Sequence, residues 1–311
     1  SGSQSCSKLT SLKLSCADSY IGLDELGQLS QLKTLWIDGV HLEDCNFFSQ
    51  IPQLEELSIS TGENGDLSLL SCLPNLKGLY LFDEEPIPAS QILVLNELGR
   101  LEDLQIAINE REGLEAISGI QTLKNLSLHM VIQEYNENGQ DGIRLSPLAS
   151  LSCLERLRLD SFWECDLFGL EEILNLPTIS SLELGRGIAN DTNPVFDETL
   201  LLDNPSIQEL SFRNCHPKDA AGGEPLEFGF LKHYPNVKWL YLDGCEISDL
   251  SFAAGFSDLR VCSLQENSIT DFSALVNCKK LEEICVDKEA AAKLNLPKGI
   301  TVYTEPYYMR D

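Results

Sequence analysis

The sequence predicts an α/β solenoid, in which one short structural unit is stacked many times with a parallel β-sheet along one side. Three observations support this prediction. An apolar-x-x-apolar-x-apolar pattern occurs twelve times, the step between copies is nearly constant, and segments between copies carry helix or turn signals. The fold of the whole chain therefore follows from one repeated unit.

The apolar pattern defines the strand of each unit. Of the eleven steps between copies, five are 22 residues long. Alternation of apolar residues places them on one face of a short strand, and neighbouring copies bury that face together. We expect the strands to pair in parallel. The copies begin at Leu9, Leu32, Leu54, Leu76, Leu101, Leu123, Leu154, Ile179, Ile207, Val237, Leu259 and Leu281.

The last third of the chain carries a family resemblance. Residues 267–275 (NSITDFSAL) resemble the N-x-I-T-D-[IF]-S-x-L segment of bacterial, internalin-like leucine-rich repeats, and residues 245–250 form a second copy with Cys in place of Asn. The resemblance covers residues 9–303. It implies a curved horseshoe with the parallel sheet on its concave face, and short helices, 3-10 turns and loops on its convex face.

The same resemblance implies a ladder of side chains that bind backbone groups after each strand. The ladder position holds Asn109, Cys215, Cys245 and Asn267 in four repeats. In most other repeats it holds residues such as Ala17 or Val131, which cannot make these bonds. We therefore expect the middle repeats to be less regular.

The segments between strands predict several further elements. Residues 168–176 predict a compact helix that ends before Pro177, and residues 90–101 predict a longer one. In the 22-residue repeats we expect short 3-10 turns. Residues 294–303 predict a turn and a final edge strand. Three polar insertions are interpreted as loops: residues 132–146, 186–197 and 216–226.

The domain prediction is a single leucine-rich-repeat domain over residues 1–311. About twelve repeats occupy residues 9–287, and residues 288–311 form a closing segment. We expect a monomer.

The charge of the chain favours some partners over others. With 22 Lys and Arg against 49 Asp and Glu, the formal net charge is −27. Such a chain is repelled by nucleic acids and anionic membranes. A basic protein partner is favoured through long-range attraction, although acidity also simply keeps a long solenoid soluble. No apolar run is long enough to predict a membrane span.

The eleven cysteines form no metal-binding or dense disulfide pattern. Most lie in apolar contexts, for example Cys72 and Cys153, and are predicted to be small buried side chains. This weakly favours a reducing cytoplasm, whereas a secreted or cell-surface location stays open, and the sequence does not determine the compartment.

The candidate contact surface consists of the x positions of each strand, which face away from the core. Exposed aromatic residues and Arg are enriched at binding hot spots. The alternative is that the aromatics cover the sheet and the Arg residues pair with neighbouring acids. The predicted partner-binding residues are Trp36, Tyr80, Phe82, His129, Arg156, Arg158, Arg213, Trp239 and Tyr241, with Lys13 beside them.

The sequence predicts no enzyme, no cofactor and no metal site. Phosphate-binding, hydrolase and metalloprotease motifs are absent from the sequence, and the four His have no metal-ligand spacing. Cys285 is the one Cys predicted to be exposed on the concave face, but the flanking Glu283 and Asp287 would oppose a thiolate nucleophile.

Three functional hypotheses result. The first is non-enzymatic protein recognition through the concave face. The second is an acidic inhibitor of a basic enzyme, although the regular 28- and 29-residue repeats of ribonuclease-inhibitor-like proteins are absent. The third is a targeting module of a larger secreted bacterial effector. For the first, replacing Trp239 and Tyr241 by Ala should weaken binding without lowering the melting temperature.

Overall fold

The predicted repeats are present as strands in the structure, a computed structural model. It describes residues 8–15, 23–42, 45–62, 66–82, 86–108, 111–130, 142–161, 165–185, 192–221 and 223–305. These fall into two units. Unit 1 comprises residues 1–133 and 150–154, and unit 2 comprises residues 134–149 and 155–311. Asn109, one of the predicted ladder residues, lies outside the described residues, as do Ala17 and Val131.

Unit 1 contains a parallel sheet of six strands in chain order. Its register aligns the central leucines of successive repeats, so that Leu35 lies opposite Leu57 and Leu57 opposite Leu79. All three are fully buried. The six strands are β1 Ser11–Ser15, β2 Thr34–His41, β3 Glu56–Ser60, β4 Gly78–Leu81, β5 Asp103–Ile108 and β6 Asn125–Met130.

Unit 2 contains eleven strands among its described residues. Seven of them continue the repeat pattern in a parallel sheet, in the order β8, β10, β12, β14, β15, β16 and β17. The final strand pairs with β16, which confirms the predicted edge strand. The strands are β7 Ile143–Arg144, β8 Arg156–Ser161, β9 Cys165–Phe168, β10 Ser181–Leu184, β11 Thr192–Phe196, β12 Glu209–Phe212, β13 Lys218–Asp219, β14 Trp239–Tyr241, β15 Val261–Ser263, β16 Glu283–Cys285 and β17 Thr301–Tyr303.

A second parallel sheet in unit 2 corrects the prediction that the insertions are loops. Strands β7, β9, β11 and β13 pair side by side, and three of them come from the described parts of the insertions at 132–146, 186–197 and 216–226. Leu167 and Phe196 of this sheet are fully buried. The sequence concealed these strands because β7 and β13 have two residues each and bury neither, while β11 buries four consecutive residues, 193–196, so that no strand shows a visible alternation.

Short turns and helices connect the strands, as the resemblance implies. The helix predicted at 168–176 is shorter, and the one predicted at 90–101 is one α-turn followed by a 3-10 segment at Leu93–Glu97. The 22-residue repeats carry 3-10 turns, for example Ser251–Gly255 and Ser273–Asn277. The α-helices are α1 Ala89–Ile92, α2 Arg111–Ile117, α3 Leu170–Leu174 and α4 Lys288–Ala291; the other 3-10 turns are Leu23–Gln28, Asn46–Gln50, Leu67–Cys72, Ser146–Ser150, Glu198–Leu200 and Phe228–His233.

The Asn and Cys ladder is present at the end of unit 2. The side chain of Asn267 accepts hydrogen bonds from the backbone N–H groups of Cys245 and Ile247, and donates to the carbonyls of Leu242 and Gln265. The thiol of Cys245 donates to the carbonyl of Phe212 at 2.6 Å. Burial raises the pKa of Cys245 to about 12, so the thiol keeps the proton that it donates. These side chains satisfy backbone groups that the turns leave unpaired.

Two of the cysteine predictions are wrong. Cys72 and Cys153 are exposed, whereas the other six free cysteines among the described residues are buried. Both exposed residues lie one position before a buried leucine, Leu73 and Leu154, at the turn that leads into a strand. There two consecutive residues face solvent before each buried leucine, so an apolar flank did not imply burial.

Candidate functional site

The candidate contact surface is the solvent face of each repeat sheet, where the x positions of the strands lie. The register aligns these positions into rows that run across the strands. In unit 1 the central row contains Lys13, Trp36, Ser58 and Tyr80. In unit 2 it contains Arg158, Glu183, Ser211, Tyr241, Ser263, Cys285 and Tyr303.

The solvent face of unit 1 presents its aromatic residues openly. Trp36 is 40% exposed and Phe82 is 59% exposed, while Tyr80 is half-buried. The ammonium group of Lys13 lies 5.1 Å from the centre of the Trp36 ring, a distance at which a cation is attracted to an aromatic face. Burial and the neighbouring carboxylates Asp103 and Glu56 raise the pKa of Tyr80, so its hydroxyl stays protonated. His129 is half-buried, on β6 opposite Ala107.

Alternating charges line one border of the unit 1 sheet, at the position before each strand. Glu55 binds Lys33 at 2.7 Å and Lys77 at 2.8 Å, and the next such pair joins Glu102 to Lys124 at 2.8 Å. The hydrogen bonds from Lys33 and Lys77 lower the pKa of Glu55 to about 2. These ion pairs link successive repeats at the border of the sheet, outside the central row that contains Trp36 and Tyr80.

In unit 2 the predicted Arg residues belong to a chain of ion pairs that crosses the sheet. Arg158 lies 2.8 Å from Asp160 and 3.8 Å from Glu183, and Arg213 lies 3.9 Å from Glu183. Arg213 continues the chain to Asp243 at 3.5 Å. We call these five residues the ion-pair chain. Acids therefore neutralise both arginines within the sheet, as the alternative interpretation of the sequence proposed.

The ion-pair chain ends in a buried carboxylate. Burial raises the pKa of Asp243, while hydrogen bonds from the Ser263 hydroxyl and the Gln265 backbone N–H, together with the nearby Arg213, lower it. Removing Arg213 would leave this negative charge without its opposite charge. The strand that carries Arg213 also requires a glycine at position 185. Gly185 has a φ of 75°, and a Cβ at this position would overlap the carbonyl oxygen of Arg213.

Tyr241 and Trp239 lie on the same strand but in different environments. Tyr241 is only 8% exposed, and the Arg213 guanidinium lies 4.9 Å from its ring centre. Trp239 is 36% exposed, with the Lys238 ammonium 5.9 Å from its ring centre. The structure therefore changes the expectation for Tyr241→Ala, which removes a packed side chain and should lower stability. Trp239 is exposed, as predicted for an outward position.

Two further predicted positions differ from their neighbours. Arg156 is exposed, and among the described residues it takes part in no ion pair. Cys285 was predicted to be exposed, which is wrong. It is 98% buried because β17 covers the edge of β16, and its thiol donates to the carbonyl of Glu305 at 3.1 Å.

Sequence reasoning missed a cleft in unit 2, formed where two successive coils leave their strands. It has a volume of about 250 Å³ and lies between residues 216–217 and 225–229 on one side and residues 245–252 on the other. Its residues belong to a polar insertion and to a ladder turn, neither of which carries a pocket signal in sequence. Within the described residues, no group of three or more His, Cys, Asp or Glu is arranged to hold a metal ion. No described helix is long and apolar enough to span a membrane.

Comparison with known proteins identifies the fold. No protein-family profile matches the chain, and no curated protein matches it in sequence. Among solved structures, an internalin F from Listeria monocytogenes is 19% identical, with 91% of this chain and 88% of that chain covered and a TM-score of 0.55. A leucine-rich-repeat protein of Leptospira interrogans is 18% identical, with 96% and 79% covered and a TM-score of 0.57.

A more distant animal structure shares the fold. A chain of the mouse RP105/MD-1 complex is 16% identical, with 95% of this chain and 51% of that chain covered and a TM-score of 0.60. At these identities the likeness concerns the fold. The chain is a leucine-rich-repeat solenoid that resembles the internalins, which confirms the fold expected from the twelve repeats.

Proposed function

We propose that the protein is a non-enzymatic recognition module that binds a protein partner through the solvent face of its repeat sheet. The observation that carries the proposal is the exposure of Trp239 beside the tightly held Tyr241 and Arg213. An open aromatic ring on a rigid base loses little conformational entropy on binding. Trp36 and Phe82 offer the same chemistry in unit 1.

The fold supports this proposal in general terms. Solved structures with a similar fold include chains from the RP105/MD-1 complex and from the Drosophila Toll–Spatzle complex, both of which are protein assemblies. The net charge of −27 supports a basic partner through long-range attraction. We propose that the chain acts as a monomer. Weaker binding at high salt would distinguish a basic partner held by charge from a purely apolar interface.

The proposal is tested by site-specific photo-crosslinking. A photoreactive phenylalanine analogue replaces Trp239 in one protein and Val276 in another. Val276 is the matched control, since it is 38% exposed and lies on the 3-10 turn Ser273–Asn277 of the same unit. We expect a crosslink to the protein partner at position 239, with a yield that decreases at high salt, and no such product at position 276.

Competition with unlabelled protein completes this test. The wild-type chain should suppress the crosslink at position 239, and Trp239→Ala should compete on the order of 10-fold less well, as expected for a hot-spot residue. Equal competition by Trp239→Ala, or a crosslink only at position 276, would contradict recognition through the sheet face. Full-length sequence context separates this function from that of a targeting module.

A further inference from the structure

The cleft of unit 2 has an apolar floor and an acidic rim. Phe228, Cys245 and Ile247 form part of the floor, and each is at least nine-tenths buried. Glu227, Glu246 and Asp249 are exposed at the rim. The residues that line the cleft include no Lys or Arg. An occupant therefore meets apolar surface at depth and negative charge at the opening.

The rim carboxylates are available to a ligand. In the part of the chain that the structure describes, no Lys or Arg pairs with Glu227, Glu246 or Asp249, whereas Arg213 of the same unit pairs with two acids. Hydrogen bonds from the hydroxyl and backbone N–H of Ser251 lower the pKa of Asp249, so it stays charged. The negative rim is thus uncompensated by the chain itself.

The size and chemistry of the cleft indicate a single side chain as occupant. A volume of about 250 Å³ is below the ~300–1,000 Å³ of clefts that enclose small-molecule ligands. The half-buried ring of Phe252 also lines it. A guanidinium group combines a flat face, which stacks on aromatic rings, with an edge of N–H donors that bind carboxylates.

We infer that this cleft binds an arginine side chain presented by a protein partner. The guanidinium would contact the carboxylates of Glu227 and Glu246 while the aliphatic stem lies on the apolar floor. The site lies on different residues from the sheet face and does not depend on recognition there. Its failure would leave the proposed function of the sheet face untouched.

The test uses two short blocked peptides that differ only in charge. Acetyl-Ala-Arg-Ala-amide is titrated against the intact, isotope-labelled chain at fixed ionic strength, and acetyl-Ala-citrulline-Ala-amide is the uncharged control of equal shape. Amide shifts are followed by NMR. We expect saturable shifts confined to residues 216–217, 225–229 and 245–252 for the arginine peptide, with Kd on the order of 1 mM, as suits one side chain. Citrulline should bind at least ~5-fold more weakly.

Two pairs of variants decide the location. The double variant Glu227→Gln with Glu246→Gln should bind the arginine peptide at least ~5-fold more weakly. The double variant Glu97→Gln with Glu112→Gln makes the same charge change in unit 1 and should leave Kd unchanged. Gly229→Leu should obstruct the cleft, and Gly255→Leu is its control. A Cβ at either glycine meets no atom within 4 Å, so both variants should fold.

Several outcomes would overturn the inference. Equal affinity of the arginine and citrulline peptides would show that charge is not recognised. Equal weakening by the Glu97 and Glu112 control would show general attraction to an acidic chain. Shifts spread over the whole protein, or none at all, would remove the site, and normal melting temperatures of all variants exclude misfolding as the cause.

Discussion

The solvent faces of the two units use similar residues at equivalent strand positions, but they are organised differently. In unit 1, Trp36 and Tyr80 are separated by Ser58, and the charged pairs lie at the border of the sheet. In unit 2 the charges lie on the face itself, and Arg213 stacks on Tyr241. An outward position is therefore exposed or packed according to its neighbours in register.

This difference has an energetic meaning. Exposed aromatic residues cost little to remove from the folded state but are well placed to bind a partner. Arg213 is the buried member of the ion-pair chain, and its removal leaves Asp243 without its cation. The comparison predicts that unit 1 variants change binding with little effect on stability, while several unit 2 variants change stability first.

The largest effect is expected for Arg213→Ala. The guanidinium side chain is mostly buried between Glu183 and Asp243, and its loss should lower the free energy of unfolding by about 3 kcal/mol at pH 7. The exposed Arg156→Ala is the control, with a change within about 0.5 kcal/mol. Urea unfolding measures both, and equal values would remove the distinction between the two arginines.

The pH dependence of Arg213→Ala sharpens this prediction. Burial raises the pKa of Asp243 and Arg213 lowers it, so the pKa rises further in the variant. The folded variant then binds a proton more tightly than the unfolded chain, and stability is regained as the pH falls. The loss relative to wild type should therefore be smaller at about pH 4.5 than at about pH 7. A loss that grows on acidification would contradict this account of Asp243.

A smaller effect is expected from removing aromatic side chains. Tyr241→Ala deletes a ring that is buried beneath Arg213 and should cost about 2 kcal/mol, below the full value for a core aromatic because only one side is packed on the sheet. Phe82→Ala removes an exposed ring and should change stability by less than about 0.5 kcal/mol. Thermal unfolding compares them. If Phe82→Ala were the more destabilising, the contrast between the two faces would be wrong.

The smallest effect concerns the charged border of unit 1. Because Lys33 and Lys77 lower the pKa of Glu55 to about 2, its stabilising contribution is complete above the ordinary carboxyl pKa of 4.5 and is lost as the pH falls toward 2. The melting temperature of Glu55→Gln should thus be slightly below wild type at about pH 6 and approach it on acidification. Salt should reduce the difference. Glu112→Gln, which pairs with no described cation, should show no such trend.

Much of the architecture was predictable because the repeat is local and periodic. All twelve predicted strands are present, and the ladder at Asn267 and Cys245 forms as the resemblance implied. The contact surface was predicted only as a set of outward positions. Exposure of Trp36, Phe82 and Trp239 is as expected, whereas Tyr241 is buried beneath Arg213 of the preceding strand and Cys285 is covered by the following strand, β17.

The sequence by itself determined the repeated strand, the face that each strand buries and the acidity of the chain, because these depend on spacing and composition within about 25 residues. Only the tertiary structure decided which outward residues are free, since Arg213, Tyr241 and Asp243 meet across strands that are about 30 residues apart. It also decided that the insertions form a second sheet and that a cleft opens beside them. Both arise from the stacking of successive coils, which places side chains in contact that no local pattern connects.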